Sequence, residues 1–134
     1  MRKVYWLGED KQWKVVVWWD SDCYDTEDIG EDLIAAGAIG TMLREMMRSL
    51  WERKLNQGLT YVNNERKMAV LAIGKATERK EYANTIAHEL CHLAVMLADA
   101  IGMDKDGEPF AYLLGELTRM TWDDSHKLTC PHCH

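Results

Sequence analysis

His88-Glu89-Leu90-Cys91-His92 lies within a long periodic run, and its reading decides the fold around it. Tyr82, Ala83, Ile86, Ala87, Leu90, Cys91, Leu93, Ala94, Leu97 and Ile101 recur at helical spacing. No Gly or Pro interrupts the run from Glu78 to Ile101, and Gly102 is a natural C-terminal stop. The run therefore predicts one long helix. Two histidines four apart on a helix share a face, one turn apart, so both imidazoles can reach one metal ion. The glutamate beside the first then faces the metal's open side, where a carboxylate takes a proton from bound water. Zinc lowers the pKa of that water to about 7. The pattern H-E-x-x-H thus points to zinc-dependent hydrolysis, with His88 and His92 as ligands and Glu89 as general base. The competing reading is a helix with two satisfied histidines and a solvated glutamate.

Upstream of this helix, Val4 to Leu7 and Trp13 to Trp19 are rich in β-branched and aromatic residues, with Gly8-Glu9-Asp10-Lys11 as the turn. They predict an N-terminal β-hairpin. An acidic loop follows from Asp20 to Asp28, with Asp25 or Thr26 placed to cap the next helix. Ile29, Leu33, Ile34 and Ala36 begin that helix, and Gly37 and Gly40 weaken or split it. Met42, Leu43, Met46, Met47, Leu50 and Leu55 continue on one face to about Asn56. A methionine stripe at this spacing reads as core rather than as a partner groove. Leu59 to Val62 predicts a short strand, Asn63-Asn64 a turn, and Met68 to Ile73 a buried strand ending at Gly74. That last strand is a candidate for the exposed backbone edge that a peptidase uses to hold an extended substrate. Pro109 suits the first turn of a final helix, with Phe110, Leu113, Leu114, Leu117 and Thr121 as its apolar stripe. The fold class is α+β, in one domain over residues 1–134 with a short Cys/His-containing tail at 123–134.

Composition narrows the function classes. The 134 residues carry a net charge of −6 and no dominant basic patch, which argues against a nucleic-acid surface. The start of the chain has no apolar run of signal-peptide type, and no stretch approaches the ~18 apolar residues of a membrane span. A cytoplasmic protein is expected, with its four cysteines as thiols. Asp104-Lys105-Asp106-Gly107 has a calcium-loop look but lacks the downstream spacing and closing glutamate of an EF-hand.

Catalytic zinc usually takes three protein ligands and a water. Asp99 shares the face of His92 but stands roughly 10 Å further along the helix, which is too far. The candidates are Glu108 and Glu116, on the segment that folds back. Simple geometry for antiparallel helices leans towards Glu116.

Gly58-Leu59-Thr60-Tyr61, the strand to Gly74, His88-Glu89-Leu90-Cys91-His92 and then Gly107-Glu108-Pro109-Phe110-Ala111-Tyr112-Leu113 resemble the small zincin-like metallopeptidases of bacteriophages and mobile elements. The resemblance spans roughly Gly58 to Arg119 and leaves out the hairpin. It implies a zincin-like, gluzincin-type fold, bound zinc, a peptide or protein substrate, and Glu108 as third ligand. Glu108 is therefore placed first and Glu116 second. Tyr112, one turn after Glu108, is a candidate donor to a developing oxyanion, although a tyrosine at the core's edge explains it better.

Cys130, His132, Cys133 and His134 form a second candidate metal site, built on half of the usual four-ligand pattern. Two rival functions stand beside the peptidase. One is a non-catalytic, zinc-stabilised binding or regulatory protein, since so short a chain leaves little material for a substrate cleft. The other is an interaction module using the acidic loop and the aromatic hairpin.

Overall fold

The computed structural model describes residues 1–52, 58–75 and 78–130. The hairpin is present: β1 (Arg2–Leu7) and β2 (Trp13–Ser21) pair antiparallel, from Arg2 opposite Trp18 to Leu7 opposite Trp13. Gly8 takes a φ of 99°, a value open to glycine, and its carbonyl accepts from Lys11 N–H at 3.0 Å. α1 (Thr26–Ala35) follows a 3-10 turn at Cys23–Asp25. Asp25 is the N-cap residue of α1, as expected, but its side chain makes no capping hydrogen bond to that helix. Asp22 caps the 3-10 turn instead: its carboxylate accepts from Tyr24 N–H at 2.9 Å, and Asp25 reaches back to Asp22 N–H at 3.0 Å. The 3-10 turn takes over the capping box, so helical structure begins one turn early.

α2 (Gly40–Trp51) comes after a break at Gly37, whose φ is 101°. Leu43, Met46, Met47 and Leu50 belong to the core while Met42 is exposed, so most of the stripe's described residues are core; Leu55 lies outside the described residues. Next come β3 (Leu59–Asn63), β4 (Met68–Gly74), α3 (Arg79–Ile101) and α4 (Glu108–Thr129). Gly102 ends α3 in the left-handed region with φ 74°, and Met103 N–H bonds back to the Ala98 carbonyl at 2.8 Å. Pro109 sits in the first turn of α4. That helix runs on through Thr129, so the expected tail is helical from Asp123 to Thr129.

The four strands form one sheet in the order β1-β2-β4-β3; β2 and β4 are parallel and the outer pairs antiparallel. Helices cover both faces. Val15, Val17, Trp19, Ala69, Leu71 and Ile73 point to α3 and α4, while Val16, Trp18, Met68, Val70 and Ala72 point to α1 and α2. This explains why β2 and β4 read as continuous apolar runs rather than alternating ones. Each of the Val, Leu, Ile and Met side chains among them contributes about 1.5–3 kcal/mol on burial. Among the described residues, no helix is long and apolar enough to cross a membrane.

The strand order corrects one expectation. β4 lies between β2 and β3, with its backbone paired on both sides. It therefore has no free edge for a substrate. Among the described residues β3 pairs only with β4 and is the open edge on that side of the sheet.

One polar group ties α1 to the hairpin. Arg2 donates twice to Asp32, both at 2.9 Å, and Trp18 Nε1 donates to the same carboxylate at 2.8 Å. Burial pushes the Asp32 carboxyl up, but the Arg2 and Trp18 hydrogen bonds outweigh it and hold the group below its ordinary 3.8. A depressed folded pKa gives stability that is present above 3.8 and lost as pH falls through the folded value. Asp32→Asn should therefore destabilise by about 1–3 kcal/mol at neutral pH. In denaturant titrations that penalty should shrink well below pH 3.8; a penalty independent of pH would show that the charge contributes nothing.

Candidate metal and catalytic site

α3 is rolled into place by its apolar stripe. Ile86, Leu90, Leu93 and Leu97 are buried against the sheet and α4. Tyr82, also buried, accepts from Asp20 N–H at 2.7 Å where the end of β2 turns with φ 52°. This anchors the helix to the strand end and sets its rotation. At 3.6 residues per turn, His88 and His92 then face away from the core, and Glu89 falls at the boundary between that face and the sheet.

The two imidazoles converge. His88 Nε2 and His92 Nε2 are 3.0 Å apart, with the rings edge to face. Two nitrogens bound tetrahedrally to one zinc at the usual bond length stand roughly 3.3 Å apart. The observed separation is within a few tenths of an ångström of that value, so two of a zinc ion's ligands could come from this pair. Imidazole is also a ligand type suited to zinc.

Glu89 behaves differently from its neighbours. It is 2% exposed, although it is charged and sits between two exposed histidines. Thr60 of β3 donates to Oε2 at a long 3.4 Å. Oε1 is buried without a hydrogen-bond partner, 4.0 Å from His88 Nε2. Burial pushes the Glu89 carboxyl up; the nearby His92 and His88 and the Thr60 hydroxyl pull the other way, and burial wins. A buried, under-satisfied carboxylate costs stability, so it requires an explanation beyond packing. The three side chains open on a cavity of about 540 Å³, with Gly58 and Thr60 on one wall and Asn84, Thr85 and Met96 along the helix.

The remaining candidates lie elsewhere. Glu108 is the first residue of α4 and follows the loop after the C-terminal end of α3, whose middle carries the motif. Glu116 pairs with Arg119 at 2.5 Å and lines a separate apolar groove with Trp13, Leu97 and Ile101. The reason is the docking side of α4. Its Thr118, Trp122 and Ser125 stand beside Ala83, Ile86 and Leu90, roughly opposite the histidines on the wheel of α3. Among the described residues, no group of three or more His, Cys, Asp or Glu side chains converges as a metal site. Asp99 pairs with Lys105. Tyr112 is 74% exposed and borders the apolar groove rather than the histidine cavity. Cys130 is half-buried just past α4, while His132, Cys133 and His134 lie outside the described residues. Cys23 and Cys91 are thiols, the first buried and the second exposed.

This arrangement makes a testable statement about the third ligand. Glu108→Gln and Glu116→Gln should each leave zinc affinity within about twofold of wild type in a chelator competition. Even outer-shell changes at metal sites cost 10–100-fold, so a larger loss in either variant would show that α4 approaches the histidines when metal is bound.

Sequence reasoning missed Gly58, Thr60, Asn84, Thr85 and Met96. The last three were within reach, since they sit three or four residues from a histidine and so share its face. Gly58 and Thr60 belong to the stretch that carries the family resemblance but had no spacing that tied them to the histidines, because only the pairing of β3 brings them there. No protein-family model, curated protein or solved structure matches the chain.

Proposed function

We propose that the chain is a zinc-dependent hydrolase, and specifically a metallopeptidase acting on a peptide or amide carbonyl. The carrying observation is the buried Glu89 carboxylate, with Oε1 unpartnered, beside two imidazole nitrogens 3.0 Å apart. His88 and His92 would hold the metal, and the third ligand is neither Glu108 nor Glu116 if both variants keep their zinc affinity. Zinc bound there would supply a water acidified to a pKa of about 7 and would polarise the carbonyl. Glu89 Oε1 takes the proton from the attacking water and returns it to the leaving amine. The raised affinity of Glu89 for protons suits a base that must hold one briefly. The open edge of β3, beside the cavity, offers main-chain groups to an extended substrate.

A second reading rests on a specific observation: only two metal-ligating side chains converge among the described residues. It is a zinc-stabilised binding or regulatory protein without turnover. Incubating the zinc-loaded chain with a mixed peptide library, with and without chelator, separates the two. Chelator-sensitive cleavage supports the peptidase. A zinc-loaded protein that cleaves no peptide leaves the binder.

A further inference from the structure

We propose that Gly58 and Thr60, at the entry to β3, are positioning residues that set the Glu89 carboxylate for its work. The inference rests on the hydrolase reading for its chemistry, but the contact itself stands on geometry alone. Gly58 has φ 69°, and a Cβ built there would lie 2.4 Å from the Glu89 carboxyl carbon and 2.8 Å from Oε1. A Cβ there would press the carboxylate aside, so the backbone just before β3 closes directly over it. Two residues on, the Thr60 hydroxyl donates to Oε2. One oxygen is held and the other, Oε1, is left without a partner. The open sheet edge and the base are thus parts of one device: the strand that offers its free edge beside the cavity also fixes the carboxylate. Catalytic hydrogen bonds are often long in free enzymes and tighten with substrate bound, which accounts for the 3.4 Å separation.

Two measurements test this. The first needs no activity. Gly58→Ala is made in the wild-type chain and in Glu89→Ala, and unfolding is followed in denaturant with the metal removed. A left-handed alanine is costly in both backgrounds. The clash with the carboxylate exists only in the first. The increase in the unfolding constant should be about tenfold greater with Glu89 present. If Gly58→Ala does not fold in the wild-type chain, folding of the double variant is the expected rescue. Equal penalties in the two backgrounds overturn the proposal. The second measurement uses the cleaved peptide. Thr60→Val should lower kcat by about tenfold with KM nearly unchanged, and Thr60→Ser, which keeps the hydroxyl, should restore it. Equal losses in the two variants would reduce Thr60 to a packing residue and overturn its part. A wild type that cleaves nothing defeats the hydrolase reading, while the stability cycle still decides whether Gly58 sets the carboxylate.

Discussion

Glu89→Gln should retain zinc and fold while lowering peptide hydrolysis by roughly 10²–10⁴-fold. The amide has the shape of the carboxylate but cannot accept the proton of the attacking water. It is not expected to release the metal, because the proposed ligands are His88 and His92, whose nitrogens converge without it. The same substitution has a second consequence in the metal-free protein. Glu89 is 2% exposed and its Oε1 has no partner, so the charged form lacks the hydration it would have in the unfolded chain. A neutral amide removes most of that penalty. Metal-free Glu89→Gln should therefore melt no lower than wild type, and higher if its new N–H group reaches an acceptor. Such a gain at the expense of activity is characteristic of a strained functional group. Zinc loss, or a lower melting temperature, would make Glu89 a structural residue. Unchanged cleavage would remove it as the base.

His88→Ala and His92→Ala should each take bound zinc from about one per chain to nearly none. One exposed imidazole cannot hold zinc against solvent, since catalytic sites use three protein ligands. The fold should survive, because both side chains face away from the core that fixes α3. Metal analysis is best made with Cys130 and Cys133 replaced by serine, so that the C-terminal residues cannot supply a second site. Full zinc content in both histidine variants on that background would place the metal elsewhere and end the hydrolase proposal.

How much of this was readable in the residues divides by distance along the chain. The long helix from Arg79 to Ile101, the hairpin, the break near Gly37 and the strand at Met68–Gly74 follow from patterns within short windows. The convergence of His88 and His92 belongs with them: a spacing of four on a helix places two side chains one turn apart whatever surrounds the helix. The cap at Asp22 escaped because a 3-10 turn, which periodicity does not report, precedes α1.

By itself, then, the sequence determined most of the secondary elements and the shared face of the two imidazoles, because backbone geometry settles both locally. Only the tertiary structure decided the rest. The parallel pairing of β2 with β4 put β4 inside the sheet and left β3 as the edge beside the histidines. The docking of α4 on the opposite side of α3 placed Glu116 in a separate groove and left no third ligand beside the histidines among the described residues. The closing of Gly58 over Glu89 turned an ordinary helical glutamate into a buried one. Each of these depends on which apolar faces find one another across long stretches of chain, and no spacing within a single element encodes that choice.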